Sequence, residues 1–149
     1  MKVAAYILIG LVLFVMIAFF LLGKKSQKGT ALGLVSGQLT ACLSKPNCVS
    51  SEDGTDAKHK VEPLRGVSFQ DATHALEHLL EQGNGKIIKS QDGYLAAEFT
   101  SGMFKFVDDL ELRQDGNDVQ VRSSSRVGHS DAGVNRKRVK ALRALLDEK

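Results

Sequence analysis

The chain has no tryptophan, two prolines and only two cysteines. Two cysteines alone cannot supply the four ligands of a structural zinc site, so a domain built on a four-cysteine zinc site is excluded. There is no internal repeat and no low-complexity tract, which excludes a repeat architecture. Aspartate and glutamate are also missing from the first 29 residues. The N-terminus therefore differs in character from the rest of the chain and is interpreted first.

An apolar run without any charged residue begins at Val3 and ends at Leu22. Its 20 residues would span roughly 30 Å as a helix, the thickness of a bilayer core. A cleaved signal peptide has a shorter apolar stretch and a small-residue cleavage site, whereas here Gly23 is followed directly by Lys24 and Lys25. We therefore predict a retained anchor, with the membrane as its partner.

The domain organisation follows from this anchor. We predict a transmembrane anchor over residues 1–23, a linker over residues 24–40 that lifts the domain off the bilayer, and a folded α+β domain over residues 41–149. The linker assignment rests on its glycine, serine, threonine, lysine and glutamine content, which is typical of flexible connections.

The formal net charge of +3 belongs to the anchor rather than to the domain. From residue 29 onward the chain has 16 basic and 17 acidic residues. A nearly neutral domain does not fit a nucleic-acid partner, and none is predicted. Within the domain, residues 50–118 are acidic and residues 119–149 are basic. We expect these parts to pair inside one fold; a basic tail that binds an acidic partner is the alternative.

Two observations disagree about the side of the membrane on which the domain lies. One lysine precedes the apolar run and three follow it, which favours a cytoplasmic domain. Cys42 and Cys48, however, flank Pro46 and Asn47, which favour a tight turn. A disulfide there would persist in an oxidising compartment, and two free thiols are the alternative. We predict a single-pass membrane protein whose domain is extracytoplasmic, in a periplasm or a lumen.

The periodicity of the domain predicts two helices and four strands. Ser68 can cap a first helix that ends at Gly83, and Ser130 or Asp131 can cap a last helix that runs towards Asp147. Between them, alternating patterns and turn residues predict strands over residues 86–90, 94–100, 104–113 and 119–125. The predicted fold class is α+β, an antiparallel four-stranded sheet with a helix before and a helix after it, preceded by a single transmembrane helix.

The alternation of the third predicted strand places Asp108 in the same apolar stripe as Phe104, Phe106 and Leu110. Burying a carboxylate without partners costs several kcal/mol, so Asp108 must find hydrogen-bond donors, stay protonated or lie at an opening. The outer face of the same strand then carries Asp109.

The register of the last hairpin predicts which residues face these carboxylates. Aligning Leu112 with Val119 places Asp109 opposite Arg122, and it also places Asp108 opposite Ser123. Asn135 should point inward from the start of the last helix.

This polar cluster has two interpretations. It is a clamp that locks the last helix onto the sheet, or it is a pocket for a small anionic ligand. In the second case the free N–H groups at the helix start would favour the anion, together with the nearby Arg122, Arg126, Arg136 and Arg138. An enzyme that uses Asp108 as a general acid or base, in the manner of a hydrolase, is the alternative function.

Metal and cofactor chemistry is weakly indicated. His74 and His78 match a zinc-peptidase pattern, H-x-x-E-H, but they should lie on the solvent-exposed face of the first domain helix without a third ligand. Asp108, Asp109 and Glu111 could suggest Ca²⁺ or Mg²⁺, but successive strand residues point to opposite faces, so Asp108 cannot easily join the other two at one ion. We predict no metal, no cofactor and no catalytic residue.

Four segments of the chain resemble domain-of-unknown-function family 1499. They are residues 42–51 (CLSKPNCVSS), 59–64 (HKVEPL), 104–112 (FKFVDDLEL) and 121–138 (VRSSSRVGHSDAGVNRKR). Leu43 departs from the family, which often has proline there. The resemblance carries no activity, and it agrees with an exported or lumenal location. The residues that it transfers as site candidates, with unassigned roles, are Cys42, Cys48, Asp108, Asp109, Arg122, Ser123, Ser125, Arg126, Asp131, Asn135 and Arg136.

The function that fits these features is a membrane-anchored, non-enzymatic binding or scaffold domain. Its expected partner, besides the membrane, is a small anionic ligand or another protein of the cell envelope.

Overall fold

A long helix, α1 (Lys2–Gln27), precedes a sheet and two further helices in the computed structural model, which describes residues 2–147. This helix is long and apolar enough to cross a membrane, and a signal sequence near an N-terminus meets the same criteria. Most of its side chains are exposed, but Gly23 and Ser26 in its last turns are buried. The end of α1 is therefore in contact with the rest of the fold.

The central sheet has five antiparallel strands in the order β3-β7-β6-β5-β4, and β1 and β2 form a small separate hairpin. The expected four-stranded sheet thus lacked one strand, β3. Three residues are too few to show an alternating pattern, and β3 is recognisable only through its pairing with β7. The strands are β1 (Leu34–Val35), β2 (Gln38–Leu39), β3 (Cys48–Ser50), β4 (Gly85–Gln91), β5 (Tyr94–Thr100), β6 (Val107–Asp115) and β7 (Asp118–Ser125).

Two helices, α2 (Phe69–Gln82) and α3 (Val134–Asp147), cover one face of this sheet. The Oγ atom of Ser68 accepts a hydrogen bond of 3.0 Å from the backbone N–H of Asp71, so the predicted N-cap is confirmed. Gly83 follows the last residue of α2 as expected, but the left-handed conformation belongs to Asn84, whose φ is +52°.

The main core lies between the sheet and these two helices. Leu76 of α2, Leu110 and Leu112 of β6, and Leu142 of α3 have no exposed surface. Each fully buried side chain of this size contributes about 1.5–3 kcal/mol. Val121 joins the same core from β7, on the face that the alternation predicts.

The β6–β7 hairpin differs in register from the expectation. Leu112 pairs with Val121 rather than with Val119. The two-residue turn consists of Gly116, with a φ of +59°, and Asn117, whereas the expected alignment centred the turn one residue earlier. Because side chains repeat every two residues, a shift of two keeps each one on its predicted face.

The shifted register nevertheless changes the cross-strand partners. Neither expected pair, Asp109 with Arg122 or Asp108 with Ser123, is formed. The observed pairs are Asp108 with Ser125, Asp109 with Ser124, and Glu111 with Arg122.

Phe104 and Phe106 do not belong to β6, which begins at Val107. Lys105 between them has a φ of +56°, which interrupts the extended conformation. Their rings pack on α1 instead: the ring centroid of Phe104 lies 5.2 Å from that of Phe19, and that of Phe106 lies 6.1 Å from it. The alternation of this segment reflects contact with the N-terminal helix rather than a longer strand.

The segment predicted as a linker lies on the second face of the sheet. Leu39 is 3% exposed, and its N–H donates to Glu52 over 2.9 Å. The N–H of Gly33 donates to Glu111 over 2.8 Å. Gly33 and Leu39, inside the predicted linker, therefore contact the outer face of the sheet. The domain boundaries themselves stay predictions.

Candidate functional site

The nine polar candidates on the last two strands and the last helix are divided between the two faces of the sheet. Alternation along β6 and β7 sends one set towards α3 and the other towards the N-terminal segment. The first set is Asp108, Ser123, Ser125, Asp131 and Asn135; the second is Asp109, Arg122 and Arg126; Arg136 contacts the loop before α2. The structure therefore forms two clusters rather than one.

Asn135 is the centre of the first cluster and has no exposed surface. Its Oδ1 accepts from Ser123 Oγ over 2.6 Å and from Arg138 over 2.8 Å. Its Nδ2 donates to the backbone oxygen of Asn47 over 3.1 Å and to Ser125 Oγ over 3.0 Å. All the hydrogen-bonding capacity of the amide is used. Asn135 therefore connects α3 with β7 and with the cysteine loop, the segment from Cys42 to Cys48.

Asp108 finds its donor on α3. Its Oδ2 accepts a hydrogen bond of 3.0 Å from Nη2 of Arg138, and only 15% of its side chain is exposed. The Arg138 guanidinium also lies 4.4 Å from the ring centroid of Phe99, a cation–π contact. The sequence predicted Arg138 as one of four arginines near an anion pocket, and the structure identifies it as the donor to Asp108.

The N-terminus of α3 is occupied by the chain's own groups. The carboxylate of Asp131 accepts from the N–H groups of Gly133 and Asn135, over 3.0 and 2.7 Å. Arg136 donates to the backbone oxygens of Lys60 and Lys58, over 3.1 and 2.6 Å. The donors on which the anion-pocket interpretation relied are thus engaged within the protein.

A buried ion pair forms the second cluster, on the face covered by residues 31–39. Glu111 has no exposed surface. Its Oε2 accepts from Arg122 over 2.9 Å, and its Oε1 accepts from the Tyr94 hydroxyl and the Gly33 N–H, both over 2.8 Å. The sequence indicated Glu111 only as a weak candidate metal ligand and not as a member of a buried cluster, because a strand position on the outer face carries no signal of burial.

The phenol of Tyr94 makes this cluster sensitive to alkaline pH. Burial, and then the neighbouring Glu111 carboxylate, raise the pKa of Tyr94 well above its ordinary value. Above about pH 10 the unfolded chain loses this proton while the folded chain keeps it, so the free energy of unfolding should decrease as pH rises. The decrease should be smaller in Tyr94→Phe. Denaturation curves of both proteins from about pH 8 to pH 11 measure this, and equal slopes would contradict it.

Arg126 connects the sheet to α1. It donates to both carboxylate oxygens of Asp109, over 2.9 and 2.6 Å, and to Glu98 over 2.9 Å. Its Nη1 also donates to the backbone oxygen of Ser26 over 3.3 Å. Burial by itself raises the pKa of Glu98, but the hydrogen bonds from Lys86 and Arg126 outweigh it and lower that pKa overall.

A cavity of about 400 Å³ lies where α1 meets the domain, within the size range of small-ligand sites. We call it the junction cavity. Its polar lining includes the Asp108–Arg138 pair, the helix-capping carboxylate of Asp131, and the hydroxyls of Thr100, Ser101, Ser125 and Ser130. Its apolar lining includes Phe19, Leu22, Phe99, Phe106, Val107 and Val134. The arrangement can accommodate a largely apolar molecule with one small polar group.

A second cavity, of about 310 Å³, lies beside the cysteine pair and includes His59, which is 5% exposed. The Nδ1 atom of His59 lies 2.7 Å from Asp56, and this hydrogen bond lowers the pKa of Asp56. His59 was noticed only as part of a family segment.

His74 and His78 lie on the exposed face of α2, as predicted. Nδ1 of His78 is 3.0 Å from the side-chain amide of Gln82. Residues 2–147 contain no group of three or more metal-binding side chains.

The comparisons with known proteins extend over most of the domain. The family model described as Protein of unknown function (DUF1499) matches residues 38–146, from β2 to the last turn of α3. No curated protein and no solved structure matches the chain. Since the match includes the cysteine loop, the sheet and both domain helices, the chain belongs to the DUF1499 family of proteins of unknown function.

Proposed function

We propose that this protein is a membrane-anchored, non-enzymatic binding domain that holds an amphipathic ligand in the junction cavity. The observation that carries the proposal is the composition of that cavity. One wall is built from Phe19 and Leu22 of the membrane-spanning candidate helix, and another contains the Asp108–Arg138 pair. A ligand there would contact the anchor and the domain together.

Retention of α1 is supported by its contacts. Ser26 Oγ accepts a hydrogen bond of 2.9 Å from the N–H of Val107, at the start of β6. Gly23 lies so close to Phe104 that an added Cβ would overlap the Phe104 carbonyl oxygen. Cleavage within this segment would leave a strand N–H without its acceptor and uncover two phenylalanine rings. A cleaved leader would have no need of such contacts.

An extracytoplasmic domain is the proposed topology. Cys42 and Cys48 lie at disulfide distance, with Cα atoms 5.7 Å apart, and a bridge between them would persist in an oxidising compartment. Maleimide labelling of intact and permeabilised cells, with and without reductant, tests this proposal. Labelling of intact cells that requires reductant supports it, and labelling that requires permeabilisation but no reductant contradicts it.

Reducing this bridge should lower the free energy of unfolding by about 2 kcal/mol, because the unfolded chain regains loop entropy. Thermal denaturation with and without dithiothreitol measures the effect. The double variant Cys42→Ser/Cys48→Ser is the control and should not respond to reductant. Equal midpoints for the reduced and oxidised protein would contradict the prediction.

A binding function is favoured over catalysis because the carboxylates of the site already form hydrogen bonds within the protein. The carboxylate of Asp108 is hydrogen-bonded to Arg138, and Asp131 caps α3. Neither group faces the junction cavity as a free acid or base. The hydrolase-like alternative, with Asp108 as general acid or base, would require Arg138 to move away.

The binding proposal is tested with 1-hexanol, a neutral amphiphile of the size that the cavity can hold. We expect saturable shifts of the amide resonances of Val107 and Ser125 in the ¹⁵N-labelled full chain in lipid nanodiscs. Val134→Trp fills the cavity wall and should abolish the shifts. Ala144→Trp, at an exposed site on the same helix, should leave them unchanged. Shifts that persist in Val134→Trp, or that never saturate in the unmodified chain, would overturn the proposal.

A further inference from the structure

We propose that the junction cavity takes one acyl chain of a bilayer lipid, which enters along the wall that Phe19 and Leu22 of α1 form. This inference rests on the proposed function, because it requires a retained α1, and it adds the chemical class and the source of the ligand. Four observations support it: the depth of the cavity along α1, the position of the loop, the rigidity of the junction and the charge of the lining.

The cavity lies at the level of the lipid. Phe19 and Leu22 line it, and both belong to the apolar run that ends at Leu22. At about 1.5 Å per residue, Phe19 lies about 4.5 Å inside the end of that run. With α1 across a bilayer, this wall of the cavity is at the boundary of the hydrocarbon core.

The loop of residues 101–106 lies beside the same part of α1. The ring of Phe104 is 5.2 Å from that of Phe19 and 5.3 Å from that of Phe20. Met103, next to it, is 68% exposed. A single exposed methionine has no special meaning, but one at the level of the anchor's last apolar turns meets lipid rather than water.

Hydrogen bonds and close packing fix α1 relative to the domain, so the cavity stays at this depth. Ser26 Oγ accepts a hydrogen bond from the N–H of Val107, and the backbone oxygen of Ser26 accepts one from Arg126. Gly23 packs directly against the backbone of Phe104. The α1 wall and the domain wall of the cavity are therefore joined on the side of β6.

The charge of the lining favours a hydrocarbon chain over a free fatty acid. Asp108 and Arg138 neutralise each other, so the cavity has no spare cation for a carboxylate. Lys24 and Lys25 follow the apolar run directly and are exposed. They are placed for a lipid headgroup that stays at the surface while the chain enters the cavity.

The depth of the loop is measured with a tryptophan, which the chain otherwise lacks. Met103→Trp in nanodiscs of phosphatidylglycerol brominated on its acyl chains should be strongly quenched. Gln114→Trp, exposed at the opposite end of β6, is the matched control and should not be. Equal quenching of the two, or none of either, would overturn the inference.

Occupation of the cavity is measured by native mass spectrometry of the full chain released from unbrominated phosphatidylglycerol nanodiscs. We expect one retained lipid per chain, lost in Val134→Trp and kept in Ala144→Trp. In a parallel sample, oleic acid is supplied to nanodiscs of dialkyl ether phosphatidylglycerol, which has alkyl chains instead of acyl chains. The oleic acid should not be retained. Retention of oleic acid in place of the lipid would contradict the inference that the bound chain belongs to a bilayer lipid.

The outcomes for the two proposals can be distinguished. If 1-hexanol shifts the cavity resonances and no lipid is retained, the lipid inference fails while the binding proposal stands. If neither 1-hexanol nor the lipid binds in a way that Val134→Trp abolishes, both the binding proposal and the lipid inference fail. If lipid is retained equally in Val134→Trp, it binds elsewhere on α1 and the inference fails.

Discussion

Replacing Glu111 with alanine should lower the free energy of unfolding by about 3–5 kcal/mol, as expected when one partner of a buried ion pair is removed. Arg122 would keep a charge that is almost fully buried, and its Nε atom already has no hydrogen-bond partner within residues 2–147. The Tyr94 hydroxyl and the Gly33 N–H would lose their acceptor as well. Chemical denaturation of the full chain in detergent micelles measures the loss.

Glu62→Ala is the matched control. Glu62 forms an ion pair of 2.9 Å with Arg65 in which both side chains are 69% exposed. Exposed pairs of this kind contribute about 0–1 kcal/mol, so the control should remain close to the unmodified protein. If Glu111→Ala lowers the free energy of unfolding by less than about 1 kcal/mol, the Glu111–Arg122 pair behaves as an exposed pair and the prediction is wrong.

The pair is also expected to be more important for geometry than for net stability. Buried ion pairs can often be replaced by apolar residues of similar volume at little cost. The double variant Glu111→Leu/Arg122→Met should therefore lose less stability than Glu111→Ala alone. A double-variant loss equal to the sum of the two single losses would contradict coupling between the residues.

Arg126→Ala should have an effect of similar size, about 3–5 kcal/mol, because it leaves the buried carboxylate of Asp109 without its bidentate partner. Asp109 is 3% exposed. The same substitution removes the donor to Ser26 and should loosen α1 from the domain. Denaturation measures the first effect, and hydrogen exchange at the N–H of Val107 measures the second.

Arg126→Lys and Arg65→Ala separate these contributions. Lysine keeps the charge but cannot donate two parallel hydrogen bonds to Asp109, so an intermediate loss is expected. Arg65→Ala removes an exposed guanidinium and should change little. An Arg126→Ala protein with unchanged stability and unchanged exchange at Val107 would show that the contact with α1 is not stabilising.

Local patterns in the sequence were sufficient for several elements. The Ser68 cap, the end of α2 and the hairpin of β4 and β5 depend on residues close together in the chain, and the structure confirms them. The face of each residue on β6 and β7 also followed from alternation alone. The register of that hairpin did not, because a shift of two residues leaves every face unchanged and only the turn geometry decides between the alternatives.

The candidate cluster shows the same limit at the level of the site. Asp108, Ser123, Asn135 and Asp131 were identified from their positions in apolar stripes and helix starts, and they do meet around α3. The burial of Glu111 and its ion pair with Arg122 were not predicted, because nothing local indicates that the N-terminal segment returns to cover the second face of the sheet.

The sequence by itself determined that an apolar helix of bilayer length precedes an α+β domain of the DUF1499 family, since composition, periodicity and motifs depend on neighbouring residues. Only the tertiary structure decided that the helix and the presumed linker pack on the sheet, that the carboxylates on its second face are buried, and that a cavity forms at the junction. Those features arise from contacts between segments far apart in the chain, and no pattern within one segment identifies the distant segment that it contacts.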